Sequence, residues 1–240
     1  MTKPLLLAVP GGFTTTWITD TPTWECVSHE GLAFCSTTVA TPITETELGW
    51  GDTLQLPIFP IPYCRCRGTG IAKHPTLGTL RTIGWALTVL VGPTCQDLIL
   101  GWRNPLMHAG SQWVCAVGEG PEPHDFPTTT GPLDLATAAT RGLAEELGIR
   151  IPPDILRPHL ELSCLAIGRH GGLAAGITVN LGHLGYTADD VLTAHRTAPD
   201  RWEAELAVIP GVKRNPHTLD QFTPWNPISR ACTEQALARA

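Results

Sequence analysis

Charge is scarce in this chain, and basic charge scarcer still: 16 Lys and Arg stand against 22 Asp and Glu in 240 residues, a formal net charge of −6. No Lys/Arg run is longer than the broken Arg65-Cys66-Arg67. Without a basic face there is no electrostatic footprint for a phosphate backbone, so bulk nucleic acid is not expected as a partner. Long apolar runs are also missing. The opening "MTKPLLLAVPGG" has a short apolar run interrupted by Pro10, too brief for a signal-peptide core or a membrane span. A soluble, cytoplasmic protein with no membrane partner is the expectation. The nine His include no H-x-x-x-H pair, and no Walker-type loop, G-x-G-x-x-G or G-x-S-x-G occurs, so the usual sequence marks of four site types are absent.

What is abundant is Gly (24) and Pro (22), beside 42% hydrophobic residues. That mixture favours many short strands and turns, with enough apolar material for one core and an appendage. With no export signal, the eight Cys are expected to remain thiols. Cys95, Cys115 and Cys164 lie in apolar, strand-like runs and read as small core residues. Cys26, His29, Cys35, Cys64 and Cys66 could supply four ligands to a tetrahedral zinc, but their spacings match no common zinc module. Zinc in this N-terminal segment is therefore not expected.

Residues 1–76 contain short apolar pieces separated by turn signals, which reads as a β-rich extension of unassigned role. "KHPTLGT" (73–79) reads as a connector, and residues 77–240 as one ordered domain. In that domain "TIGWALTVLVG" (82–92), "DLILGWRNP" (97–105) and "QWVCAVGEG" (112–120) are three strands. A Pro- and Thr-rich loop follows. Asp134 then stands at a helix N-cap position, and "LATAATRGLAEEL" runs helically to Gly148, the residue type favoured just past a helix end. "LELSCLAIG" and "LAAGITVNLGH" form a hairpin, "TADDVLTAHRTA" a helix capped by Thr187, "WEAELAVIP" a strand, and "NPISRACTEQALARA" a final helix. This order predicts an α/β fold: a mixed sheet with a helix packed on each side.

The helix carries the chemistry. Ala136, Thr140, Leu143 and Leu147 recur at helical spacing and make a stripe to bury. Gly142, Glu145 and Glu146 lie on a different face, within about 100° of arc. Arg141, four residues before Glu145, can pair with it. Two adjacent acids at a helix C-terminus oppose the helix dipole, and a hard divalent cation would relieve them.

The string "RGLAEELGI" (141–149), after strand and loop, resembles the box of the Nudix hydrolases, G-x5-E-x7-R-E-U-x-E-E-x-G-U with U a bulky apolar residue. Arg141, Leu143, Glu145, Glu146, Gly148 and Ile149 match. Three positions depart: the acid after the Arg is Gly142, the upstream Glu falls on Leu133 with Asp134 one place off, and the upstream Gly falls on Pro127. In element order the resemblance extends over about residues 80–240 and implies a Nudix-like α/β/α sandwich. It also implies that Glu145 and Glu146 ligate Mg²⁺ or Mn²⁺ for hydrolysis of a nucleoside diphosphate linked to another moiety. With Gly142 in place, the job of the first acid must be moved or lost. Glu119 in the Gly118-Glu119-Gly120 turn, expected to face the N-terminal half of the helix, is one candidate. Glu203 or Glu205 on the late strand is another; sharing a face, both or neither should enter the cleft. Arg103 could contact a phosphate. Trp102 or Trp202 could stack on a base, the remaining Trp being core. The alternative is a non-catalytic Nudix-fold module that binds a nucleotide-like ligand or a partner protein, with the N-terminal segment as effector, docking or homodimer surface. A purely structural α/β domain with zinc in the N-terminal segment is the remaining reading.

Overall fold

A computed structural model describes residues 5–7, 13–17, 37–41, 54–62, 71–74, 78–107, 110–122, 125, 134–167 and 172–239. The zinc candidates Cys26, His29, Cys35, Cys64 and Cys66 lie outside them. The spine is β6 (Gly78–Val91), whose residues from Trp85 onward are all buried, as a strand covered on both faces requires. One flank of β6 takes β11 (Leu173–Asn180) in parallel, from Leu173↔Ile83 to Asn180↔Leu90, and β10 (Leu160–Ile167) pairs antiparallel to β11. β1 (Leu5–Leu7) adds antiparallel to β10. The other flank takes β9 (Val117–Glu119) and β7 (Asp97–Arg103), both antiparallel, and β7 in turn pairs with β12 (Ala204–Ile209) and β8 (Trp113–Cys115). The N-terminal end of β6 pairs with β3 (Thr37–Thr41) and β5 (Ile71–His74), and β4 (Leu54–Pro62) joins β3 to β2 (Phe13–Trp17).

The period-two alternation of β6 divides two cores. Ile83, Trp85, Leu87, Val89 and Val91 face one layer, built with α1 (Leu135–Glu146) and with Val191 of α3 (Ala188–His195). Ala86 and Leu90 face the other, where Cys115, Cys164 and Cys232 of α4 (Pro227–Arg239) are buried. The expected mixed-sheet α/β sandwich is thus present. Among the described residues, no helix is long and apolar enough to cross a membrane.

Four local expectations change. The third strand is two strands, broken at Ala116, because β8 pairs with β7 and β9 with β6. The supposed connector at 73–79 holds the end of β5 and the start of β6, paired at His74↔Gly78. Cys95 is buried but sits in the turn after β6, at φ 48°. On α1 the buried residues include Ala138, Ala139, Arg141 and Gly142, while Thr140 is only partly covered. A four-residue helix, α2 (Pro153–Leu156), was not foreseen.

Candidate functional site

The N-terminus of α1 is fixed by Asp134. Its carboxylate accepts from the Ala136 amide (3.1 Å), the Thr137 hydroxyl (2.8 Å) and both terminal nitrogens of Arg157 (2.7 and 2.9 Å). These bonds, Arg157 foremost, hold the Asp134 carboxyl below its ordinary value although partial burial opposes them. At the other end the last carbonyls find partners outside the helix. The Asp200 amide donates to the Glu145 carbonyl (2.9 Å), and His195 Nδ1 lies 2.7 Å from the Glu146 carbonyl. Gly148, at φ 71°, turns the chain away, and a side chain there would meet the Ala194 carbonyl.

Between these ends Arg141 is buried, and its guanidinium organises a ring of acids. Nε and Nη2 donate to the two oxygens of Asp125 (3.2 and 3.1 Å), Nη2 also to the Gly120 carbonyl (2.6 Å). Nη1 donates to Glu119 (3.0 Å) and to Glu145 (2.9 Å), the latter being the i,i+4 pair expected from sequence. Glu119 therefore faces the C-terminal half of the helix, not the N-terminal half, because β9 runs alongside residues 141–146. Asp125, fully buried, was missed. It lies 16 residues from Arg141 in a loop with no periodic pattern, and no sequence signal could have paired them.

Gly142 is the point of closest approach between α1 and β9. A Cβ built there would stand 2.7 Å from Val117 Cγ1 and 2.9 Å from Glu119 Cγ, closer than carbon atoms pack. The side chain that the box would carry at 142 has no room, since Val117 and Glu119 are already there. Four residues on, Glu146 accepts the Gly118 amide (2.8 Å).

Burial pushes Glu119 up to about 7, outweighing its pairing with Arg141, and Glu145 and Glu203 add to the rise. Burial likewise pushes Glu146 up to about 8, with Glu119 and Glu203 adding repulsion and Arg103 opposing. Glu203 is also raised, by partial burial and Asp200 against Arg103. These acids line one cavity of about 210 Å³, together with Arg103, Trp85 and Asn226. Arg103 Nε is buried and has no hydrogen-bond partner among the described residues.

The late-strand acids separate. Glu203 lies in the bend before β12 and lines the cavity, whereas Glu205 is on the strand and exposed. Strand alternation does not govern them because residue 203 is not in the strand. Trp102 is absent from the cavity wall and packs edge-on against its cross-strand neighbour Trp113, ring centres 5.1 Å apart. It points to the opposite face of β7 from Arg103. Trp202 is exposed, one residue before Glu203.

Among the described residues no three His, Cys, Asp or Glu side chains form a ready metal site. The donor chemistry nevertheless suits Mg²⁺ or Mn²⁺. Both are hard cations, and Mg²⁺ in particular is usually held by one or two carboxylates plus substrate phosphates. Glu119 and Glu146 are two such carboxylates, both raised chiefly by burial.

No family model and no curated protein matches the chain. Among solved structures it is similar to Shewanella oneidensis NrtR, at 14% identity and TM-score 0.44 over 65% of this chain. The match spans 62% of NrtR, a protein also solved with a 27mer DNA. It is similar to the NrtR Nudix domain complexed with ADP ribose, at 15% identity and TM-score 0.43, covering 65% of this chain and 86% of that one. A third is the Nudix hydrolase RenU of M. smegmatis, at 16% identity and TM-score 0.35, covering 68% and 88%.

Proposed function

We propose that the chain is a Nudix-type hydrolase of a nucleoside diphosphate linked to another moiety, with Glu119 in the role that the family's box gives to an acid at position 142. The observation that carries this reading is the Glu119 side chain lying over Gly142, in the space the missing acid would fill. Strand β9 supplies what the helix lacks, and the glycine makes the approach possible.

In this reading Glu119 and Glu146 hold Mg²⁺ or Mn²⁺ together with the diphosphate oxygens. The ion would neutralise charge on the diphosphate and lower the pKa of a water. Arg141 fixes Glu119 and Glu145 in single rotamers. Arg103, with its unpartnered Nε, takes a phosphate oxygen from the β7 side. Glu203 is the remaining acid of the cleft and sits close enough to Arg103 to be steadied by it.

Metal-dependent formation of nucleoside monophosphate from a panel of nucleoside diphosphate compounds, ADP-ribose among them, tests the reading. Wild type should turn over at least one compound and Glu146→Gln should not. One observation favours the second reading, a ligand-binding module without turnover: Glu119 and Glu145 are both already paired with Arg141. Under that reading wild type and Glu146→Gln are equally inert on the panel while a ligand still raises the Tm of both.

A further inference from the structure

We infer that Asp125 is a positioning residue that reserves the two-pronged edge of Arg141, so that Glu119, the acid of the cleft that Arg141 holds, receives a single hydrogen bond from it and keeps an oxygen for a ligand. The role of that acid rests on the hydrolase reading; the geometry does not.

A guanidinium has five N–H donors in a fixed fork, and all five of Arg141 are used. The parallel pair, Nε–H and one Nη2–H, goes to Asp125, and the second Nη2–H to the Gly120 carbonyl. What remains is Nη1, shared between one oxygen of Glu119 and one of Glu145. Bidentate pairing is the strongest grip an arginine exerts on a carboxylate. Spent on Glu119, it would occupy both oxygens of a prospective ligand. Here it is spent on a carboxylate that no solvent reaches.

Asp125 is itself held in place. Its carboxylate accepts the Glu122 amide (2.8 Å), its amide donates to the Glu122 carbonyl (3.0 Å), and its carbonyl accepts the Asp134 amide (3.1 Å). Asp134 is the residue that caps α1. One side chain and one peptide therefore close the base of the loop between β9 and α1 and set the guanidinium between them. Asp125→Asn keeps the shape but replaces one acceptor oxygen by a donor facing another donor, so the fork cannot form. The freed edge of Arg141 then turns to Glu119 or Glu145.

Mn²⁺ titration calorimetry on the full chain tests this. Asp125→Asn should weaken Mn²⁺ binding about tenfold, the scale of losses when a group behind a metal ligand is changed. Asp125→Glu keeps a carboxylate but sets it one methylene further out of the fork, so it should also lose affinity, though less. Adding Arg141→Lys to Asp125→Asn should restore part of the affinity, because an ammonium cannot grip bidentately. That rescue is a response a merely structural role would not give. Folded Asp125→Asn with wild-type Mn²⁺ affinity and a lowered Tm would overturn the inference, as would a double variant weaker than either single one. Should Asp125→Asn not fold, equal affinities of Asp125→Glu and wild type would overturn it too. Because binding is read, a wild type that binds Mn²⁺ without turnover sinks the hydrolase reading alone. A wild type that binds no Mn²⁺ sinks both.

Discussion

The two ends of α1 use the same residue types to opposite effect. At the N-terminus an acid meets the positive end of the helix dipole, two local donors and an arginine, and its carboxyl is held low. At the C-terminus Glu146 meets the negative end, burial and two neighbouring acids, and its carboxyl is driven up to about 8. The first arrangement stabilises the fold and has no spare bonding capacity in view of the cleft. The second costs stability and leaves charge unsatisfied beside a cavity, which is where a binding or catalytic role is to be sought. Arg141 is the boundary: behind it lies the saturated Asp125, in front of it two acids bonded once each.

The largest effect expected is on chemistry. Glu146→Gln should lower metal-dependent diphosphate hydrolysis at least about a hundredfold. Asp134→Ala, at the other end of the same helix, should leave kcat within a few-fold at temperatures where the variant is folded. Steady-state kinetics of the two variants side by side would break the comparison if Asp134→Ala were the more damaging.

Next comes the close approach at 142. Gly142→Val adds a Cβ where Val117 and Glu119 already stand and should cost about 1–3 kcal/mol by overpacking, read from urea unfolding. The N-terminal cap follows: Asp134→Ala should cost about 1–2 kcal/mol at pH 7. Because the folded-state value of Asp134 is lowered, its charge-dependent contribution is full above the ordinary 3.8 and is lost as the pH falls through the folded value. The gap between wild type and Asp134→Ala should narrow below pH 3.8.

One effect has the opposite sign. Glu146 is raised, so in metal-free protein its contribution worsens as pH climbs from about 4.5 to about 8. Glu146→Gln should match wild type near pH 4 and exceed it above pH 8, by roughly 2–4 °C in Tm for each kcal/mol relieved. Saturating Mg²⁺ should shrink that advantage by stabilising wild type alone. A Glu146→Gln variant less stable than wild type at high pH without metal would contradict the contrast between the two ends.

Much of the fold was legible because it follows period. The apolar runs of β6 and β7, the hairpin β10–β11 and the capped helices α1 and α3 are set by local spacing. The break at Ala116 and the β5–β6 pairing were not legible, because each depends on which strand lies alongside rather than on the run itself. In the site, Glu145 and Glu146 could be placed by helical phase and Arg141 by its i,i+4 relation. Glu119 and Glu203 were visible only as candidates, and Glu203 parts from Glu205 because a bend interrupts the alternation that linked them. Trp102 is drawn away by Trp113 across β7–β8. Asp125 had no signal, since its partner is reached through space from a Pro- and Thr-rich loop.

The central claim is that Glu119 does from β9 what an acid at position 142 would do from α1. An exchange of the two positions tests it most directly: nucleoside monophosphate formation by wild type, Glu119→Ala, Gly142→Glu and the double variant, under saturating Mn²⁺. The account predicts that each single change is severely impaired, Glu119→Ala by loss of the acid and Gly142→Glu by collision with Glu119 and Val117, and that the double variant, in which only Val117 has to give way, recovers activity above either. A double variant that is folded, binds Mn²⁺ and is no more active than Glu119→Ala would contradict it.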